Sequence, residues 1–288
     1  MATAEAGRRS GNRARLIARF GPMAGPWYDA LPALVDGLAR RWGLDVGEAG
    51  GGGTSRVYRC SRHRDGDSAT VWLKLTPDPV VAGQEAEALT VWSGAPSVVR
   101  LLDSDLGVGA LLLAGVEPGT QIREHVRRTE DVARLLVDLR TASRTRTPRL
   151  PPLGERINFL YDMAARRGTH GPEPVARGRA AALALAGTGP ADGLVHGDLH
   201  PGNVLVGPAG RLIAIDPRPA LGDPDFDVVD WAIDGVTDER GLRCRIAALA
   251  ALVPGMSADR VLGWCRATAP LSAGAPAFLL DPAAVRRG

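Results

Sequence analysis

The sequence predicts an α+β chain in two lobes, a small antiparallel β lobe with one helix and a larger, mainly helical lobe that carries a polar loop. Three observations predict it. A glycine-rich turn and several β-like runs fill the stretch from Glu48 to Leu113. Helical periodicity takes over beyond it, with apolar residues three and four apart at Val132, Leu135, Leu136 and Leu139. Late in the chain the apolar run Leu194-Val195 breaks into His196-Gly197-Asp198-Leu199-His200-Pro201-Gly202-Asn203, then returns to Val204-Leu205. The boundaries expected are a loose basic lead-in over 1–25, a small lobe over 26–115 and a large lobe over 116–288.

Composition bounds the reading. At 288 residues the chain can bury one large core or two lobes. A net charge of only +3 does not point to nucleic acid. No apolar run is long enough to span a membrane. Arg8, Arg9, Arg13 and Arg15 are not followed by the apolar core of a signal peptide. Three scattered cysteines, Cys60, Cys244 and Cys265, have no metal-binding spacing. A reduced, cytoplasmic protein is expected, as a monomer or weak homodimer. Lysine occurs once, at Lys74, in a chain rich in arginine. A lysine kept against that bias is a candidate for a role only lysine fills.

In the small lobe, Leu31, Leu34, Val35, Leu38 and Trp42 share one helical face, with Gly43 as the stop. Gly50-Gly51-Gly52-Gly53 then reads as a turn feeding the strand Arg56 to Cys60. Gly51, Gly52 and Gly53 would let backbone N–H groups approach phosphates. No Gly-Lys-Ser/Thr follows, so this is not a Walker loop. Arg64-Asp65-Gly66-Asp67 is a hairpin turn signal, and Ala69 to Leu75 is the returning strand bearing Lys74. Glycine loop, strand, turn and strand with lysine match the ATP-binding hairpin of kinases, with Lys74 on the α- and β-phosphates. Its acidic partner is expected on the helix around Gln84 to Trp92, with Glu85 preferred and Glu87 as the alternative. Val98 to Leu102 and Gly109 to Leu113 read as strands. The second runs into Ala114-Gly115-Val116-Glu117-Pro118-Gly119, a hinge where adenine would bond backbone near Ala114 and Val116.

In the large lobe, Ile157, Leu160, Tyr161 and Met163 mark a second helix, and Arg179 to Leu185 an alanine-rich third. Pro201-Gly202 forces a turn after Asp198. Val204 to Val206, Pro208-Ala209-Gly210 and Leu212 to Ile215 read as a hairpin that delivers Asp216 beside Asn203. The pattern H-x-D-x-x-x-x-N, then Asp at a strand end, is that of a phosphoryl-transfer centre. Asp198 would accept a proton from a substrate hydroxyl. Asn203 and Asp216 would hold Mg2+, a hard ion that takes oxygen ligands. The competing reading makes His196, Asp198 and His200 ligands of a metal hydrolase. It leaves Asn203 and Asp216 without a job. His196 is expected to brace the loop. Helices follow around Ile246, Leu249 and Val253, and from Ser257 through Cys265.

These motifs, with Ile215-Asp216-Pro217-Arg218-Pro219 and Gly222-Asp223-Pro224-Asp225-Phe226-Asp227, resemble the aminoglycoside phosphotransferase family. The resemblance is to its streptomycin 6-kinase and hydroxyurea phosphotransferase branch. It implies a two-lobed, protein-kinase-like fold, ATP and Mg2+, and phosphorylation of a small-molecule hydroxyl, here the 6-hydroxyl of streptomycin. It also implies that Asp223 braces the catalytic loop by hydrogen bonds. An Ala-Pro-Glu segment and an activation loop are missing, which argues against a protein substrate. Streptomycin is cationic, so its pocket should be acidic. Asp230 and Asp234, one helical turn apart, are candidates to line it, against the alternative of an exposed helix face. Glu155, Asp162 and Glu173 are weaker candidates. The alternatives carried forward are a kinase of hydroxyurea or another small hydroxylated metabolite, and a nucleotide-binding module without turnover.

Overall fold

A computed structural model of the chain describes residues 2–51, 54–64, 67–122, 128–142 and 149–280. The chain divides into two compact units, Met1–Thr90 with Val99–Gly115, and Val91–Val98 with Val116–Gly288.

The first unit runs α1 (Ala2–Phe20), α2 (Ala24–Trp42), β1 (Leu44–Gly51), β2 (Arg56–Arg64), β3 (Asp67–Leu75), α3 (Pro79–Val91), β4 (Leu101–Asp105) and β5 (Ala110–Ala114). The strands form one antiparallel sheet in the order β1-β2-β3-β5-β4. Val71, Leu73 and Leu75 alternate on β3 and bury one face, as period-two patterning demands. The α2 stripe of Leu31, Val35, Leu38 and Trp42 belongs to the same apolar cluster. Gly43, in the left-handed region, ends α2 and returns its N–H to the Ala39 carbonyl.

Two expectations change here. The loose lead-in over residues 1–25 is instead mostly helical, in α1 and the start of α2. Helix α1 is polar on average, so an apolar pattern does not announce it. It is rich in alanine and arginine, both good helix formers. Leu16 is fully buried, and the Arg13 guanidinium makes two bonds to the Asp29 carboxylate, at 3.0 and 2.8 Å. The glycine-rich stretch also begins as strand, because β1 pairs with β2 through Gly51 opposite Arg56. Gly52, Gly53 and the expected turn residues Asp65 and Gly66 lie outside the described residues.

The second unit runs β6 (Thr120–Gln121), α4 (Thr129–Thr141), α5 (Leu153–Arg167), α6 (Pro172–Thr188), β7 (Gly193–Val195), β8 (Val204–Val206), β9 (Leu212–Ala214), β10 (Ala220–Gly222), α7 (Val229–Ile233), α8 (Glu239–Ala250), α9 (Ala258–Thr268) and α10 (Ala277–Leu280). Its strands form two small antiparallel sheets, β6-β8-β9 and β10-β7. Val132, Leu135, Leu136 and Leu139 of α4 are all buried. Ser257 caps α9 by accepting the Arg260 N–H. Helix α5 starts against β10: the Leu221 N–H donates to the Pro151 carbonyl, and a Cβ on Gly222 would lie 2.5 Å from Leu153. Because β10 also pairs with β7, the start of α5 and the loop that leaves β7 are built on one ladder. Among the described residues no helix is long and apolar enough to cross a membrane.

Candidate active site

The loop from His196 to Asn203 leaves β7 and closes with a single 3-10 turn at Pro201–Asn203. The His200 ring begins that turn, its Nδ1 accepting the Gly202 N–H at 3.0 Å. Asp198 is held from two sides. The Arg156 Nη2 donates to its Oδ1 at 3.2 Å. The Asn203 amide nitrogen donates to its carbonyl at 2.9 Å and to its Oδ2 at 3.2 Å. The Asp198 side chain is still 35% exposed, so it is anchored and open at once. Both partners of the Asn203 amide nitrogen are acceptors, which directs its carbonyl oxygen the other way.

The β8–β9 hairpin brings the next acid alongside. The Ile215 N–H donates to the Asn203 carbonyl at 2.9 Å, so Asp216 follows the residue bonded to Asn203. Asp216 takes a left-handed backbone, φ +56°, rare for a side-chain-bearing residue. Its carboxylate lies 3.6 Å from the Arg218 guanidinium. Among the described residues no three or more His, Cys, Asp or Glu side chains cluster to cage a metal ion. One amide oxygen and one carboxylate suit Mg2+, which is bound by one or two protein oxygens plus phosphates and water.

His196 is fully buried and does no surface chemistry. Its Nε2 lies 3.1 Å from the Ile215 carbonyl, which makes that nitrogen the proton carrier, and the ring stacks on Trp92 at 6.1 Å. It ties the loop to the end of β9. The Arg218 N–H adds a second tie, to the His196 carbonyl at 2.8 Å. That close approach needs a glycine next door: Gly197 has φ +75°, and a Cβ there would lie 2.1 Å from the Arg218 carbonyl oxygen. Burial lowers the His196 pKa to about 4, against the opposing pull of Asp198 and Asp216. The unfolded chain takes up this proton below about pH 6.5, and the folded chain only near pH 4. Stability from this group is therefore full above pH 6.5 and falls as pH drops towards 4, by about 3 kcal/mol at most. The difference in melting temperature between wild type and His196→Asn should shrink over that window. A difference independent of pH would contradict it.

The brace expected of Asp223 belongs to Asp227. The buried Asp227 carboxylate accepts the His196 N–H at 2.6 Å and the Gly197 N–H at 2.9 Å. Burial pushes its pKa up to about 7, although both N–H donors favour its charged form. Asp223 faces α9 instead, where its carboxylate takes the Trp264 Nε1 at 2.9 Å and the Arg260 Nε at 2.8 Å. Asp225 receives Arg140 Nη2 at 2.8 Å and the Ser257 N–H at 3.0 Å. Three acids at alternate positions thus hold three different elements. Asp227→Ala orphans two buried N–H groups and should cost about 3 kcal/mol in urea unfolding. An unchanged midpoint would contradict the brace.

In the first unit, Lys74 on β3 and Glu85 on α3 meet as a buried pair, Nζ to the two carboxylate oxygens at 2.7 and 2.6 Å. Their side chains are 7% and 1% exposed. Burying two charges costs several kcal/mol per ion before their attraction repays it, so stability alone is a weak reason to keep such a pair. The Ala114 N–H is engaged by the Arg100 carbonyl at 2.9 Å, so a ligand contact there would be to its carbonyl. Val116 begins the following stretch, in the second unit.

Asp230 and Asp234 do not share a helix face. Helix α7 is five residues long and ends at Ile233, because Asp234 turns extended and Gly235 takes φ +67°. Asp230 is exposed to solvent. Protein around it raises its pKa, opposed by His200 and reinforced by the charges of Asp198 and Asp234. Asp230 is therefore within electrostatic reach of Asp198. Asp234 lines a separate depression of about 400 Å3 with Arg128, Trp231 and Arg245. Asp162 pairs with Arg179 and Glu173 with Arg177, while Glu155 is exposed in the first turn of α5.

Residues 41–277 match the family described as aminoglycoside/hydroxyurea antibiotic resistance kinase. The chain belongs to this family. A hydroxyurea phosphotransferase of Kitasatospora aureofaciens is 36% identical over 256 residues, 85% of this chain and 73% of that protein. A streptomycin 6-kinase of Streptomyces glaucescens is 31% identical over 261 residues, 85% of this chain and 82% of that protein. Among solved structures, choline kinase LicA from Streptococcus pneumoniae superposes with a TM-score of 0.58 at 14% identity, over 84% of this chain and 88% of that one. LicA has also been solved with AMP. The fold of this kinase is thus protein-kinase-like, and the chain is a phosphotransferase by family.

Proposed function

We propose that this kinase transfers the γ-phosphoryl group of ATP to the 6-hydroxyl of streptomycin. The observation that carries the reading is the Asp198 carboxylate, anchored through both oxygens yet open to solvent, one loop away from Asn203 and Asp216. Asp198 takes the hydroxyl proton as the new P–O bond forms and the bond to ADP breaks. Asn203 and Asp216 hold Mg2+, which neutralises phosphate charge when bound. Lys74, fixed by Glu85, contacts the α- and β-phosphates. The glycine run with Gly51, Gly52 and Gly53 cradles phosphate, and backbone at Ala114 and Val116 meets adenine. The AMP-bound relative of this fold supports an adenine nucleotide as donor. ATP as donor suits a cytoplasmic reaction.

The exposed acid at Asp230 suits a cationic acceptor. Streptomycin, with its guanidinium groups, meets that charge, whereas hydroxyurea is neutral. The second reading, hydroxyurea as acceptor, draws support from the 36% identical relative. The test is to incubate the protein with ATP, Mg2+ and each acceptor, then locate the phosphate by 31P–1H NMR correlation. Phosphate at C6 of streptomycin is expected. Phosphorylated hydroxyurea with unmodified streptomycin would replace the proposal with the second reading.

A further inference from the structure

Arg156 lies outside every motif read from the sequence, yet it makes two bonds to the catalytic loop. Its Nε donates to the Gly197 carbonyl at 3.0 Å and its Nη2 to Asp198 Oδ1 at 3.2 Å. The side chain is 11% exposed, and its guanidinium lies 5.6 Å from the Phe159 ring centre. Position 156 is in the first turn of α5, the turn seated on β10, which pairs with the strand feeding the loop. The guanidinium therefore reaches Asp198 from a base fixed to the same ladder.

We propose that Arg156 is a positioning residue for phosphoryl transfer, holding the Asp198 carboxylate in the orientation that receives the acceptor hydroxyl. This inference rests on the proposed function. Two physical arguments carry it. The first is geometric. One planar fork engages both the carbonyl preceding Asp198 and the carboxylate itself, which fixes the side chain relative to its own backbone. Asn203 does the same from the other side, through the Asp198 carbonyl and Oδ2. Each carboxylate oxygen then has one fixed donor and keeps acceptor capacity for a substrate. The second is electrostatic. Asn203 bonds the Asp198 carboxylate and takes the Ile215 N–H on its carbonyl, so the acid at Asp216 follows directly beyond the same residue. A carboxylate among like charges turns towards water unless a cation holds it, and the Arg156 guanidinium, 3.2 Å from Oδ1, is that cation.

The role predicts a separation of kinetic constants. Arg156→Ala should lower kcat by about 100-fold, the scale of a misoriented reacting group, while KM for ATP stays within about twofold. Arg156→Lys should recover only part of the rate, because an ammonium lacks the planar fork. Millimolar guanidinium should raise kcat of Arg156→Ala and leave the wild type unchanged, a readout that a purely structural role would not give. The assay is transfer to streptomycin and to hydroxyurea by the full chain, with melting temperatures recorded for each variant. A kcat within twofold of wild type in Arg156→Ala overturns the role. So does a loss of rate with no guanidinium rescue, or a rise in KM for ATP at unchanged kcat. Absence of transfer by the wild type to either acceptor overturns the proposed function, and this role with it.

Discussion

Asp216→Ala is expected to abolish magnesium-dependent turnover. The proposed metal site has two protein oxygens, and this substitution removes the only charged one. Mg2+ sheds its water reluctantly and depends on carboxylate charge when protein ligands are few. Phosphoryl transfer gains most of its rate from positioning and from charge neutralisation, so losing the ion removes both. The backbone complicates the variant. Residue 216 has φ +56°, which alanine tolerates less well than Asp or Asn. Asp216→Asn is the cleaner companion, because it keeps the left-handed conformation and an oxygen while removing the charge. Both variants are measured for ADP release across a magnesium titration. Loss in Asp216→Ala, with activity in Asp216→Asn recovered only at high magnesium, is the expected pair. Wild-type turnover in Asp216→Ala would remove this residue from the metal site.

Asp198→Asn is expected to lower transfer by about 1,000-fold and to leave nucleotide affinity within about twofold. General base catalysis contributes on the order of 100- to 10,000-fold, and an amide cannot take the hydroxyl proton. The shape of the loop should survive. The bonds that hold its backbone go to Asp227, Arg218 and the Asp198 carbonyl, none of which needs the carboxylate. The amide oxygen can still accept from Arg156 or Asn203. Nucleotide binding by calorimetry and single-turnover transfer separate the two effects. Equal losses of binding and transfer would mean that Asp198 shapes the site and is not its base.

Much of the candidate site in the second unit was legible because it is local. Asp198 and Asn203 are five residues apart in one loop, and a short hairpin brings in Asp216, so spacing alone carries the geometry. Lys74 stood out as the sole lysine at the end of a hairpin strand, and Glu85 lies on the next helix. Other parts depend on contacts that spacing does not encode. Arg156 comes from 42 residues before Asp198, on a helix whose apolar stripe it merely borders. The acids at 223, 225 and 227 sit in one short motif, and nothing in their order says which one turns to the loop. Strand β1 is too rich in glycine to announce itself and exists through its pairing with β2. Helix α1 is polar on average, and among its described side chains Leu16 and the Arg13–Asp29 pair do the packing, which an apolar pattern does not announce. Asp230 and Asp234 parted because the helix ends at Ile233, between them, an effect that a four-residue spacing does not reveal.

Coupled ADP release by the purified chain, with ATP and Mg2+, tests the central claim most directly. Streptomycin is compared with hydroxyurea, a 2-deoxystreptamine aminoglycoside and no acceptor. The account predicts release that depends on streptomycin and stays near background in the other three. Release that is the same with and without every acceptor would contradict it.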